Sequence, residues 1–354
     1  MSDLPRITVV TNLLSPPYDE GMRIWMRSLL DAFQRSERVE TRVVNLPVGS
    51  SSLGSRLDLL SAFRSADREH PADIVFYVPL ASMTFNSFLF ARLLMSVSSG
   101  SPFVCAVSLQ HRNLSGLQES LIRSFLKPDL VCTHSPATAA ALRRLGVAVH
   151  ELLPAVDSSR FHPVDADERR RLRMKYSLPE SAFIVLHVGH ATQRRNLHLL
   201  SALAPDRDIL PVFVVSSRSE SAGRMAELAS SGVRIISGYQ DAIDELYKLS
   251  DLYFFPVEME NGAIDLPLSV LEARSCGLPV LSSRFPAIVN ALGNERGVYF
   301  FTGEAELHER LVLLKKQSGE SAAVTSTSYQ ALAEDLLSQF STRGWLEPPS
   351  KRRG

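Results

Sequence analysis

The feature that most constrains this chain is an alternation that runs along it and then starts again. Short runs rich in Val, Ile and Phe, such as residues 6–12 (RITVVTN), 39–46 (VETRVVNL), 73–79 (DIVFYVP), 102–108 (PFVCAVS) and 130–135 (LVCTHS), read as strands. Segments of helical spacing separate them at residues 21–34, 55–66, 85–97, 116–125 and 136–145. Parallel strands need long crossovers, and a helix supplies them, so this rhythm predicts a parallel sheet covered on both faces. At residues 182–190 (AFIVLHVGH) the rhythm restarts with a second opening strand. Strands at residues 210–217, 233–239, 251–256, 279–284 and 298–301 follow it, with helices at 196–204, 221–230 and 241–249, a helix bearing Glu272 before the strand at 279–284, and two more at the end.

The fold class expected is therefore α/β, with two doubly wound Rossmann-like domains facing a central cleft. Ligands of such sheets bind beyond the carboxyl ends of the strands. The chain has 354 residues, too many for one ordinary core and enough for two. Residues 153–181, polar, proline-bearing and ending in a charged helix, separate the halves. The expected division is 1–157, 158–327, and a C-terminal segment 328–354 with a helix crossing back to the first domain. The tail 348–354 (PPSKRRG) is expected to be disordered.

Lys plus Arg number 38 and Asp plus Glu 38, so no charge excess points to nucleic acid as a partner. Cys105, Cys132 and Cys276 are scattered, odd in number and lack zinc-ligand spacing, which fits free thiols in a reducing, cytoplasmic setting. The start (MSDLPRITVV) has no signal-peptide pattern, and no apolar run is long enough to span a bilayer. The best candidate for peripheral membrane contact, at the inner face, is 85–97 (FNSFLFARLLMSV), which equally suits a buried crossover helix. No G-x-G-x-x-G follows either opening strand. Residues 49–56 (GSSSLGSR) have phosphate-loop glycine spacing but Ser55 where the lysine belongs. No nucleophile elbow or zinc-protease helix is present.

Several segments, taken in order, resemble the retaining glycosyltransferases of the GT-B fold known as glycosyltransferase group 1, or family four. They are residues 7–33 (ITVVTNLLSPPYDEGMRIWMRSLLDAF), 152–163 (LLPAVDSSRFHP), 178–203 (LPESAFIVLHVGHATQRRNLHLLSAL), 244–256 (DELYKLSDLYFFP) and 266–283 (LPLSVLEARSCGLPVLSS). The second half matches through most of its length, and the first mainly at its two ends. The resemblance implies transfer of a sugar from a UDP- or GDP-sugar to an acceptor hydroxyl, without a metal or other cofactor. It also implies a front-face displacement, with domain closure excluding water. A glycan or lipid-linked acceptor suits the family, and the oligomeric state is open.

Residue roles follow from the resemblance and from the chemistry of the donor. Glu272 matches the glutamate that accepts two hydrogen bonds from the ribose hydroxyls. Gly189 ends the phosphate-binding strand. The family's arginine and lysine beyond it fall here on His190 and Arg195, with Arg194 beside them and Asn196 where glycine is usual. Fixed cations there stabilise leaving-group charge on a diphosphate. Gly21 matches a first-domain loop glycine that lets backbone approach the donor. Asp19 and Glu20 before it suit either acceptor hydroxyls or a helix N-terminus. The family's donor-sugar histidine falls on Ser108, with His111 three residues on.

The family's first glutamate falls on Ile264, with Asp265 next to it and Glu258 and Glu260 upstream. Two readings of Asp265 stand open: contact with the transferred sugar, helped by the backbone N–H groups of 263–266 including Leu266, or a plain helix cap. Pro267 is expected at the first helical position. The changes at Ile264 and His190 also admit a non-catalytic GT-B partner or scaffold that still binds nucleotide.

Overall fold

The computed structural model describes residues 4–16, 18, 20–45, 53–80, 82–216, 222–259, 262–317 and 326–347. The chain forms two compact units. The first comprises Met1–Tyr18, Met22–Pro154 and Tyr329–Gly354, and the second Asp19–Gly21 and Ala155–Ser328.

The first unit holds β1 (Arg6–Thr11), β2 (Glu40–Asn45), β3 (Ile74–Val78), β4 (Phe103–Val107), β5 (Leu130–Thr133) and β6 (Val149–Glu151). They form one parallel sheet in the order β2-β1-β3-β4-β5-β6. β3 and β5 are buried at every position, as their unbroken apolar character requires. Helices cross over at Gly21–Arg35, Leu53–Glu69, Phe85–Val97, Gly116–Leu121 and Pro136–Arg144. Local chemistry sets their starts: Thr84 and Ser135 cap with their side chains, and Ser115 with Gln118 forms a reciprocal capping box. The fourth helix runs on into a π-helical turn at Ile122–Leu126. Helix Tyr329–Thr342 also belongs to this unit. His150 Nε2 meets Asp335 Oδ2 at 2.6 Å, and the Trp345 ring stacks on Phe103 at 4.8 Å.

The second unit holds β7 (Phe183–Gly189), β8 (Ile209–Val215), β9 (Arg234–Ser237), β10 (Leu252–Phe255), β11 (Val280–Ser283) and β12 (Val298–Phe301). These too are all parallel, in the order β12-β11-β10-β7-β8-β9. The charged helix Ala166–Lys175 is fastened by Asp251. That carboxylate takes Arg173 at 2.7 Å, Arg169 at 3.1 Å and the backbone N–H of Ile184 at 2.7 Å.

Two parallel doubly wound sheets match the expected class. Three details differ. β6 was not foreseen, because three residues including a His and a Glu give no strand pattern. Helix Pro286–Leu292, opened by its own proline, was also missed. The helix expected over 196–204 shrinks to His198–Ser201, because a tight turn and a left-handed residue precede it. The scattered thiols are not all apart: β4 and β5 bring Cys105 Sγ and Cys132 Sγ to 3.4 Å, both buried and unbridged. Of the phosphate-loop-like stretch, residues 49–52 lie outside the described residues, as does the tail 348–354. Among the described residues no helix is long and apolar enough to cross a membrane.

Candidate functional site

The second sheet changes direction of growth at β7, which pairs with β10 on one side and β8 on the other. Neighbouring crossovers leave on opposite faces there, so a crevice opens at the carboxyl ends of β7 and β10. Gly189 and His190 end β7, and a 3-10 turn, Gln193–Arg195, follows. Asn196 then adopts the left-handed conformation, with φ 49° and ψ 40°. Its Nδ2 donates to the Pro256 carbonyl just beyond β10 at 3.1 Å. Asparagine thus replaces the usual glycine at no conformational loss, because it tolerates this region and gains a bond.

Two polar groups converge at the end of β7. A Cβ on Gly189 would lie 3.3 Å from an Arg195 terminal nitrogen and 3.4 Å from His187 Nε2, so the missing side chain makes the space both occupy. Arg195 is half-buried, its Nε has no hydrogen-bond partner, and its Cζ lies 6.0 Å from the Phe255 ring centre. Among the described residues no carboxylate pairs with it, and burial lowers its pKa. His187 is fully buried and its Nδ1 meets the Phe254 carbonyl at 2.9 Å. That contact places the ring proton on Nδ1 and leaves Nε2 as an unpartnered lone pair. Burial first, then the Arg195 charge, pushes the imidazole down to about 3, so it is neutral. Sequence reading missed His187, although its place two residues before Gly189 puts it on the same strand face. His190 is half-buried, and Arg194 is exposed.

The loop after β10 lies on this turn. A Cβ on Gly262 would come within 2.7 Å of Val257 Cγ1 and 3.1 Å of the Arg194 carbonyl oxygen. Only glycine permits that approach. Ser283 Oγ, from β11, donates to the Val257 carbonyl and anchors the other side of the loop. Asp265 and Leu266 are buried, at 5% and 7% exposure, while Ile264 is half-buried. Glu260 lies outside the described residues.

Two expectations are corrected here. Pro267 is the cap residue of helix Leu268–Ser275, with extended φ −64° and ψ 129°, and Leu268 is the first helical position. Proline fixes φ but leaves ψ free, so it fits either place. The cap position is Pro267, so Asp265, two residues earlier, is not the cap residue.

Glu272 lies on that helix, 5% exposed, and its Oε2 accepts a 2.8 Å bond from the Tyr247 hydroxyl. Burial raises its pKa to about 7, against the Tyr247 bond and the Arg160 charge, which lower it. Burial also keeps the Tyr247 hydroxyl protonated, as a donor. Tyr247 is wedged between Phe161, edge-on at 5.6 Å, and Tyr253 at 5.8 Å. Phe161 and Arg160 come from the 152–163 turn. Arg160 bonds Asp244 at 2.9 Å, and Lys248 bonds the same carboxylate at 2.8 Å. The turn that carries part of the family resemblance therefore buttresses the residue that holds Glu272.

Glu20 is half-buried and Asp19 lies outside the described residues. Gly21 opens helix Gly21–Arg35. Ser108 is buried and its Oγ accepts from the Met83 N–H at 3.0 Å, so it serves the loop after β3. His111 is half-buried, with Nε2 3.3 Å from Asn113 Oδ1. No cluster of three or more His, Cys, Asp or Glu with metal-holding geometry occurs among the described residues.

Two six-stranded parallel sheets with surrounding helices match the GT-B fold class. Within that class, residues 168–330 match the family described as glycosyl transferases group 1. The sulfoquinovosyl transferase SQD2 of Arabidopsis thaliana is 28% identical over 159 residues, 43% of this chain and 30% of that protein. The chain spans less than half the length of the curated relatives it matches. The fold is similar to sucrose-phosphate synthase of Thermosynechococcus elongatus, with TM-score 0.77, 14% identity, and 96% and 99% of the two chains covered. It is also similar to HepE of Anabaena, solved with UDP and glucose, with TM-score 0.70, 14% identity, and 96% and 100% covered.

Proposed function

We propose that this protein is a retaining glycosyltransferase that moves a sugar from a UDP- or GDP-sugar to an acceptor hydroxyl without a metal. The observation that carries the reading is Arg195, a cation with no carboxylate partner among the described residues and with its Nε bonded to nothing. It sits at the crevice that the β7–β10 switch creates. A diphosphate leaving group gains negative charge as the anomeric carbon–oxygen bond breaks. A preorganised cation in a partly desolvated site stabilises that charge.

The remaining roles follow from placement. Glu272 takes the ribose hydroxyls, with Tyr247 holding the carboxylate in orientation. The turn after β7 supplies Gly189, His190, Arg194 and Arg195 to the phosphates, and the 262–267 loop with Asp265 faces the transferred sugar. The acceptor hydroxyl attacks the face the leaving group departs from, and its proton passes to the departing phosphate oxygen, so configuration is retained. HepE, of like fold, was solved with UDP and glucose, which favours a nucleotide sugar of this kind. The acceptor is a glycan or a lipid-linked sugar, and the setting is cytoplasmic, at the inner membrane face.

A thermal-shift screen against UDP, GDP, ADP and their sugars, followed by turnover with the stabilising donor, tests the proposal. Binding and turnover that both vanish in Arg195→Ala support it, and turnover unchanged in Arg195→Ala and Glu272→Ala overturns it. Ile264, half-buried where the family has a glutamate, favours one other reading: a partner protein that binds nucleotide without turning it over. Stabilisation by UDP or GDP with no turnover of any sugar identifies that case.

A further inference from the structure

His187 sits where β7 could have carried another phenylalanine. It is fully buried and stands opposite Phe213 of β8 in the register of the sheet. Its ring stacks on Phe213 at 5.4 Å and on Tyr253 of β10 at 6.5 Å. Its Nδ1 meets the Phe254 carbonyl at 2.9 Å. Two rings and one hydrogen bond thus fix the imidazole plane, and with it the direction of Nε2. That nitrogen is buried and has no hydrogen-bond partner. An apolar ring would fill the slot as well and carry no such cost, because a buried acceptor without a donor has lost its bond to water.

Such a group calls for a donor, and the fold brings one alongside. A Cβ built on Gly189 would meet Arg195 Nη1 at 3.3 Å, His187 Nε2 at 3.4 Å and Arg195 Cζ at 3.6 Å. The imidazole lone pair and the guanidinium therefore border the same small gap, which the glycine leaves open. Arg195 has an unsatisfied group of the opposite kind, its Nε–H. A guanidinium only donates, and Nε2 of this tautomer only accepts, so the two are complementary. The neutrality of the imidazole, kept by burial and by the Arg195 charge, suits the pairing. A carboxylate at this position would also orient Arg195 but would cancel its charge, and a lysine would repel it. A neutral acceptor orients the fork and leaves the full positive charge for a phosphate.

We propose that His187 is a positioning residue for Arg195: its Nε2 accepts one guanidinium N–H and aims the rest of the fork at the crevice. A turn about the last side-chain torsions of Arg195 makes the bond while the strand backbone stays in place. The inference rests on the phosphate role of Arg195 proposed above.

Two substitutions separate the acceptor from the donor. The asparagine amide nitrogen overlays imidazole Nδ1, so His187→Asn keeps the bond to the Phe254 carbonyl and loses the acceptor. The glutamine amide oxygen overlays Nε2, so His187→Gln keeps the acceptor. With the sugar donor that thermal shift identifies, His187→Asn is expected to lower kcat by about tenfold, as a misaimed group does. His187→Gln is expected to recover most of that loss. His187→Asn should weaken UDP or GDP but leave uridine or guanosine unaffected, since the nucleosides carry no phosphate. Added to Arg195→Ala, His187→Asn should cost nothing further. Losses that add in full, or nucleoside affinity that falls together with that of the diphosphate, mark a purely structural role and overturn the proposal. A second measurement needs no nucleotide. In protein with histidine labelled by nitrogen-15, the His187 Nε2 resonance should move toward that of an unbonded nitrogen in Arg195→Ala. A resonance that stays in place overturns the inference and leaves the donor reading standing. A resonance that moves, in a protein that neither binds nor turns over a nucleotide sugar, supports the contact and overturns the donor reading instead.

Discussion

Asn196 reaches from the turn after β7 to the Pro256 carbonyl beyond β10, at 3.1 Å, while holding φ at 49°. One side chain thus closes a left-handed turn and ties together the two strand ends where the sheet switches direction. Replacing it separates those contributions. Asn196→Gly keeps the backbone free and loses the bond, for about 1 kcal/mol. Asn196→Ala loses the bond and adds roughly 1–2 kcal/mol of left-handed strain. Chemical denaturation should rank the three proteins Asn, Gly, Ala in falling stability. An alanine variant as stable as the glycine one would show that the turn relaxes.

Gly262→Ala should act through sterics alone. Its new methyl would sit 2.7 Å from Val257 Cγ1 and 3.1 Å from the Arg194 carbonyl oxygen, so the loop must lift from the turn. A loss of about 1–3 kcal/mol is expected, as in other overpacked sites. Adding Val257→Ala should recover part of it, and a double-mutant cycle measures how much.

Glu272 predicts a pH dependence of known sign. Its folded pKa, about 7, lies above the ordinary carboxylate value of 4.5. Its contribution to stability is therefore fully present below pH 4.5 and is lost as pH rises through about 7. The shift corresponds to roughly 3 kcal/mol. Denaturation across that window should show the loss in the natural protein and a flatter profile in Glu272→Gln. Nucleotide affinity should run the other way, rising toward pH 7, because ribose hydroxyls donate to the ionised form.

Tyr247→Phe removes the donor to Glu272 and leaves the rest of the packing in place. The carboxyl pKa should climb further, and UDP or GDP affinity at neutral pH should fall by about tenfold, the value of one hydrogen bond to a charged group. Isothermal titration at two pH values checks both. Affinity restored at high pH would mark the loss as one of ionisation.

Arg195→Ala should lower kcat/KM by about 100-fold or more, and Arg195→Lys should recover a part of that, since lysine restores the charge but not the fork of donors. Steady-state kinetics with the donor found by thermal shift gives both values.

Much of the candidate site was legible because its residues lie in segments of local pattern. The strand ending in Gly189, the basic pair Arg194 and Arg195, and Glu272 on its helix all sit in contiguous segments with a recognisable order. What stayed hidden depends on distance along the chain. His187 takes its tautomer from a carbonyl 67 residues away. Glu272 is oriented by a hydroxyl 25 residues upstream. Cys105 and Cys132 meet only because their strands are neighbours in the sheet. The helix start was misplaced by one residue, because proline satisfies the cap and the first helical position alike.

By itself the sequence determined two parallel doubly wound sheets, since runs of apolar strands separated by helical crossovers admit few other arrangements. It also determined the residue types that the strand ends of the second unit can present. Tertiary structure alone decided which of those groups are buried, which are paired, and which are left with an unsatisfied donor or lone pair. The reason is physical: hydrophobic periodicity is written in neighbouring residues, whereas desolvation and hydrogen-bond satisfaction are set by atoms that the fold brings together from far apart.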